Sequence, residues 1–181
     1  MRLFVALSLP DEARARLGGL AGGVPGARWV APESLHLSLR FIGEVDGAQA
    51  RDADAALAQI SAPAFTLTLA GVDCFSSGDK SRSLWVGVAE CAELMRLQGK
   101  IERALQRAGL PAEGRKFKAH VTLARLKSNP GAKLHDFLAG NALFRSDPFL
   151  VREFDLYSSF LSHSGAIYRR EATYPLGPPN G

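Results

Sequence analysis

Cysteine is scarce. The chain of 181 residues has two, Cys74 and Cys91. They show no CxxC spacing and no Cys/His cluster surrounds them, which argues against a disulfide framework and a zinc site. Both read as small hydrophobes, and they suit a reducing cytoplasm. No apolar run reaches the roughly 18 residues that a spanning helix needs, so no membrane segment is expected. The apolar start, Met1 to Leu9, is short and runs at once into Pro10, Asp11 and Glu12. It reads as a first strand and not as a secretory leader. No GxxxxGK or GxGxxG loop follows a strand, which disfavours ATP and dinucleotide folds. No GxSxG is present either, which argues against a serine hydrolase.

What is present is ordinary for a soluble domain: 46% hydrophobic and 22% charged residues. The length fits one domain, residues 1–181, built as two lobes and able to bury a core without staples. Pro175 to Gly181 reads as a frayed tail. The net charge of +4 and a pI near 9.3 are those of a mildly basic chain, which can attract a phosphate-bearing ligand. Strands are expected over Arg2–Ser8, Leu35–Ile42, Phe65–Val72, Ser83–Val88, Phe117–Leu126, Phe149–Ser158 and Ala166–Tyr174. Helices are expected over Pro10–Leu20, Asp46–Ile60, Cys91–Ala108 and Lys133–Ala139. Several strands adjoin one another in this order, so the class is α+β and not a doubly wound parallel sheet.

Two segments carry the chemistry. One is Leu35-His36-Leu37-Ser38-Leu39-Arg40-Phe41, the other Ala119-His120-Val121-Thr122-Leu123-Ala124-Arg125. Side chains of a strand alternate between its faces. His36, Ser38 and Arg40 therefore share one face, and His120 and Thr122 share the corresponding face of the second strand. Each strand offers an imidazole beside a hydroxyl. Opening a cyclic phosphodiester with water needs a proton taken from the nucleophile and one given to the leaving oxygen. Histidine titrates near neutrality and suits both tasks. Hydroxyl donors beside it can stabilise charge on the non-bridging oxygens. No metal or cofactor is required.

At these residues the chain resembles the two-histidine phosphoesterases. HLSLRFIGEV and HVTLARL are similar to the family's two signatures, and most like those of the bacterial and archaeal RNA 2′,3′-cyclic phosphodiesterases, also called 2′-5′ RNA ligases of the LigT/ThpR type. Arg2 to Ala6, Trp29-Val30, and Leu156-Tyr157-Ser158-Ser159 with Gly165 and Tyr168 look like the family's flanking strands. The resemblance implies two pseudo-symmetric lobes, each an antiparallel sheet with helices outside, enclosing a central cleft. It implies His36 as general acid, His120 as general base, and Ser38, Thr122 and Arg125 as phosphate-binding groups. Ser38 departs from the family's usual threonine but keeps the hydroxyl. Arg125 has the wrong parity for an ideal strand, so a bulge or a strand end must turn it toward the site. Implied partners are RNA ends bearing a 2′,3′-cyclic phosphate, such as tRNA halves, or small cyclic nucleotides. The product is a 2′-phosphate, with ATP-independent 2′-5′ ligation as the reverse. A cytoplasmic monomer is expected.

Arg40, Phe41 and Lys118 are candidate substrate contacts; rim charge, core packing and a solvated side chain are the alternatives. Lys116 and Trp29 are weighed the same way. Lys80-Ser81-Arg82 reads as a turn or a substrate-facing loop. His135 and His163 lack the strand pattern and read as surface residues. Rival functions are a silent nucleotide-binding module, which two intact motifs oppose, and a metal-dependent phosphoesterase, which the scarcity of acidic residues near the motifs opposes. ADP-ribose cyclic phosphate and 2′-5′ oligonucleotides stay open as substrates.

Overall fold

The computed structural model describes residues 1–77, 80–127 and 130–181, with the side chains of Lys80 and Ser81 outside the description. Among the described residues, ten strands and four α-helices follow in chain order: β1 (Arg2–Ser8), α1 (Asp11–Gly18), β2 (Ala27–Trp29), β3 (His36–Glu44), α2 (Gly47–Ala58), β4 (Phe65–Leu67), β5 (Leu69–Ser77), β6 (Lys80–Val88), α3 (Ala92–Arg107), β7 (His120–Leu126), α4 (Ala132–Gly140), β8 (Phe149–Val151), β9 (Glu153–Ser162) and β10 (Gly165–Pro175). A 3-10 turn, Pro32–Ser34, leads into β3.

Eight strands form one antiparallel sheet in the order β10-β9-β1-β3-β7-β6-β5, with β2 added beside β7. The motif strands β3 and β7 are central neighbours. They share a single backbone pairing, Leu37 opposite Val121. The sheet is thus two half-sheets, β10-β9-β1-β3 and β7-β6-β5, meeting at the two motifs. β1, the apolar start of the chain, lies between β3 and β9, which is why Leu3, Val5 and Leu7 are buried.

One face of the sheet is the core. α3 is amphipathic: Leu94, Leu97, Ile101, Ala104 and Leu105 recur at helical spacing and are buried. The helix packs on β3, and Gln98 Nε2 donates to Leu39 O at 3.3 Å. α2 starts at a capping box, where Asp46 Oδ1 accepts from Gln49 N at 2.8 Å and Gln49 Oε1 accepts from Asp46 N at 3.0 Å. It docks on α3 and on β10, where the Tyr174 hydroxyl donates to Asp54 Oδ1 at 2.5 Å.

Four of the sequence expectations change. The strand expected over Phe65–Val72 breaks at Thr68, and the one over Phe149–Ser158 breaks at Arg152. Both breaks have one cause: β4 and β8 pair as a separate two-stranded sheet, and each chain segment then crosses into the main sheet. Lys80-Ser81-Arg82 belongs to β6 and is not a loop, although the side chains of Lys80 and Ser81 are outside the description. The tail is held further along than expected. Pro175 ends β10, Leu176 N donates to Arg152 O at 2.7 Å, and Gly177 N donates to Ala62 O at 2.8 Å. These bonds hold the tail as far as Gly177 despite its prolines.

Candidate active site

His36 and Ser38 alternate with buried Leu37 and Leu39, as a half-buried strand requires. Alternation then fails. Opposite β1, Ala6 pairs with Ser38 and Val5 with Arg40, so Leu39 is an extra residue on β3. This is a β-bulge. It sends Leu39 and Arg40 to the same, inner side and returns Phe41 to the face of His36. β7 repeats the device at the equivalent place. Trp85 pairs with Thr122 and Leu84 with Ala124, leaving Leu123 as the extra residue. Leu123 and Ala124 are both buried, and Arg125 is exposed on the face of His120.

The two bulges decide two sequence expectations. Arg125 comes to the histidine side through the bulge, and its charge bears on both His36 and His120. Arg40 does not. It is 5% exposed, ion-paired to Glu102 of α3, and donates to the carbonyls of Phe41 and Pro111. It is a core strut and not a substrate contact. Phe41 occupies on β3 the position that Arg125 occupies on β7. It is 54% exposed, with its ring 6.0 Å from that of Phe4.

The histidines are held alike. His36 Nδ1 lies 2.8 Å from Ser34 O, and His120 Nδ1 lies 2.7 Å from Lys118 O, each the carbonyl two residues back. A carbonyl only accepts, so each Nδ1 carries a hydrogen and each Nε2 is left as the titrating atom. Rings from neighbouring strands fix both imidazoles. Around His36 stand Phe4 at 5.0 Å, Tyr168 edge-on at 5.1 Å and Tyr157 at 6.5 Å. Around His120 stand Phe75 edge-on at 4.9 Å and Trp85 at 5.8 Å. Phe4, Tyr157 and Tyr168 read in sequence only as parts of family-like flanking strands, and Phe75 and Trp85 were not singled out, because only the pairing of β1, β9 and β10 beyond β3 and of β6 and β5 beyond β7 brings these rings to the motifs.

Both histidines have pKa values below the ordinary imidazole value. Burial is the main cause for each, opposed by the carbonyl bond. For His36, the charges of His120, Arg125 and Arg14 lower it further. For His120, Arg125 and Lys118 do so. Lys118 is exposed, and its Nζ lies 5.2 Å from the Trp85 ring centroid, beside His120. Arg14 of α1 was not singled out in the sequence.

Gly87 faces His120 in the β6–β7 register. A Cβ there would meet Ala70 O at 3.0 Å and Trp85 Cζ3 at 3.3 Å. Gly87→Ala is expected to cost about 1–3 kcal/mol by overpacking. It should lower the melting temperature and, by displacing Trp85 against His120, also lower turnover. Thermal melts with parallel assays check this; an unchanged melting temperature would refute it.

The other sequence candidates lie elsewhere. Trp29 packs on Phe137, with ring centroids 5.7 Å apart. Lys116, His135 and His163 are exposed. Cys74 and Cys91 are free. Among the described residues no group of three or more His, Cys, Asp or Glu is placed to hold a metal ion. No described helix is long and apolar enough to cross a membrane.

Comparison with known proteins gives a consistent picture. The family profile described as LigT like Phosphoesterase matches residues 7–85 and again 86–168, one motif in each match. The RNA 2′,3′-cyclic phosphodiesterase of Archaeoglobus fulgidus is 32% identical over 173 residues, spanning 93% of this chain and 97% of that protein. The crystal structure of E. coli LigT complexed with 3′-AMP aligns with a TM-score of 0.79 at 26% identity, over 97% of both chains. That of TT0787 of Thermus thermophilus aligns with a TM-score of 0.81 at 27% identity, over 99% of this chain and 100% of the other.

Proposed function

The chain belongs to the LigT-like phosphoesterase family, and from this premise we propose that it hydrolyses RNA 2′,3′-cyclic phosphate ends to 2′-phosphates by two-histidine acid–base catalysis without a metal. The observation that carries this reading is the matched pair of imidazoles. Both lie on adjacent central strands, and both have Nδ1 tied to the carbonyl two residues back and Nε2 left to act.

His120 Nε2 removes a proton from water, which attacks phosphorus. His36 Nε2 gives its proton to O3′ as the P–O3′ bond breaks. Ser38, Thr122 and Arg125 hold the non-bridging oxygens as charge builds on them. The nucleoside belongs on the side of the acid, because the leaving O3′ is bonded to its ribose. The unequal surroundings of the two histidines support this orientation. Exposed Tyr168 stands against His36, exposed Phe41 lies beyond Phe4 on the same side, and both offer faces on which a base can stack. Lys118 flanks His120 and meets phosphate on the water side. Run backwards with a 5′-hydroxyl in place of water, the same steps join RNA ends 2′-5′, as a minor activity.

The test is a short RNA ending in a 2′,3′-cyclic phosphate, incubated with the protein in chelator, with the product's phosphate position determined. A 2′-phosphate formed without metal supports the reading. No turnover, or turnover abolished by chelator, refutes it.

The pH profile follows from the lowered histidine pKa values. In the free enzyme His120 must be neutral and His36 protonated, and both titrate below the usual 6.5. kcat/KM is therefore expected to peak on the acid side of neutrality and to fall as pH rises through the pKa of His36. A bound phosphate anion favours the imidazolium form and raises both values. The kcat profile should lie at higher pH than that of kcat/KM. Coincident profiles with an alkaline optimum would contradict this assignment.

A further inference from the structure

A second polar cluster lies beside His36, outside the groups that act on the cyclic phosphate. Its centre is Asp155 of β9, which is 0% exposed. A carboxylate so buried must be paired. Ser8 Oγ donates to its Oδ2 at 2.9 Å, the Tyr157 hydroxyl to Oδ2 at 3.3 Å, and Thr173 Oγ1 to Oδ1 at 2.7 Å. Arg170 Nε lies 3.5 Å from Oδ2. Arg170 Nη2 also donates to Ser8 Oγ at 3.0 Å, and the guanidinium lies over the Tyr157 ring, 5.9 Å from its centroid.

The cluster adjoins the site. Ser8 is the β1 residue opposite His36. Tyr168, two residues before Arg170 on β10, sets its ring edge-on to His36. Arg170 thus reaches the surroundings of His36 through Ser8 and Tyr157, on the aromatic side of the imidazole.

The cation is fixed without being used up. Asp155, Ser8 and Tyr157 engage Nε and Nη2, whereas Nη1 has no partner among the described residues, and the side chain is 49% exposed. The hydroxyls of Ser8, Tyr157 and Thr173 already tie β1, β9 and β10 together. The guanidinium adds an oriented, open donor edge of the kind that phosphate accepts.

The ribose carrying O3′ lies on the His36 side in the mechanism above, and the RNA continues from its 5′ oxygen into a phosphodiester. We propose that Arg170, held by Asp155, binds this phosphodiester one nucleotide upstream of the cyclic phosphate, so that the enzyme selects ends of RNA chains over free mononucleoside 2′,3′-cyclic phosphates. The proposal rests on the function given above and adds its substrate selection.

Two substrates test it: a dinucleotide with a 2′,3′-cyclic phosphate end, which has the upstream phosphodiester, and the matching mononucleoside 2′,3′-cyclic phosphate, which lacks it. Wild type should favour the dinucleotide about tenfold or more in kcat/KM, mainly through KM, as a charge-assisted contact provides. Arg170→Gln should remove most of that preference. Arg170→Lys should restore part of it, since the ammonium keeps the charge and loses the fork. The slope of log kcat/KM against log salt for the dinucleotide should become shallower by about 0.7 in Arg170→Gln, the value for one phosphate contact on a single strand. Equal losses on both substrates with an unchanged salt slope would make Arg170 a strut of the sheet and overturn the proposal. Turnover of both substrates by wild type without preference would overturn it while leaving the function intact. Turnover of neither would overturn the function and the proposal together.

Discussion

His36→Ala and His120→Ala should each lower turnover of a 2′,3′-cyclic phosphate end by about a hundredfold to ten-thousandfold, the range for losing a general acid or base. The double variant should be little worse than the poorer single one, because the two imidazoles serve one proton-transfer sequence. Melting temperatures should move by a few degrees at most, since neither ring is fully buried. A substrate with sulfur in place of O3′ separates the roles. A thiolate leaves without a proton, so it should rescue His36→Ala and leave His120→Ala impaired. Rescue of His120→Ala instead would exchange acid and base. Activity unchanged in either alanine variant on the oxygen substrate would sink the mechanism.

Arg40→Ala should act on stability. Arg40 is the covered end of an ion pair with Glu102, and it also satisfies the carbonyls of Phe41 and Pro111. Removing one partner of such a pair leaves the other without compensation. The expected loss is about 3 kcal/mol, which for a chain of this size is a fall of about 6–12 °C in melting temperature. Arg40→Met combined with Glu102→Leu should recover much of it, because well-packed apolar groups replace buried pairs at little cost. Denaturant titration measures both. A substrate contact would behave in the opposite way, with KM raised and the melting temperature unchanged, and that outcome would return Arg40 to the site.

Arg40 also marks where sequence ends as a guide. Strict alternation from His36 puts it on the catalytic face, and alternation was right for Leu37, Ser38 and Leu39. The bulge that reverses it is a relation between β3 and β1, and a single sequence does not display it. On β7 the apolar pair Leu123-Ala124 betrays the equivalent bulge, because two successive inward residues break the period. On β3 the pair is Leu39-Arg40, and the charge conceals it. Local features were legible: β1 between Arg2 and Ser8, the helices α2 and α3, and the doubled His-x-hydroxyl pattern. Features that depend on distant pairing were not. Tyr157 and Tyr168 reach His36 only because β9 and β10 lie beyond β1. The breaks at Thr68 and Arg152 exist only because two short strands find each other across the chain. Asp155 reads in sequence as one more acidic residue, and only the sheet closes hydroxyls and a guanidinium around it.

The matched bulges at Leu39 and Leu123 set Phe41 and Arg125 at equivalent points of the two half-sheets. Had these halves been separate, identical polypeptides associating about a twofold axis, both positions would carry the same residue. The cyclic phosphate would then dock in two equivalent orientations, each imidazole serving as donor in one and acceptor in the other. Joining both halves in one chain lifts that degeneracy. Each position diverges alone, an aromatic ring on one side and a permanent cation on the other, and the ligand is left with a single polarity.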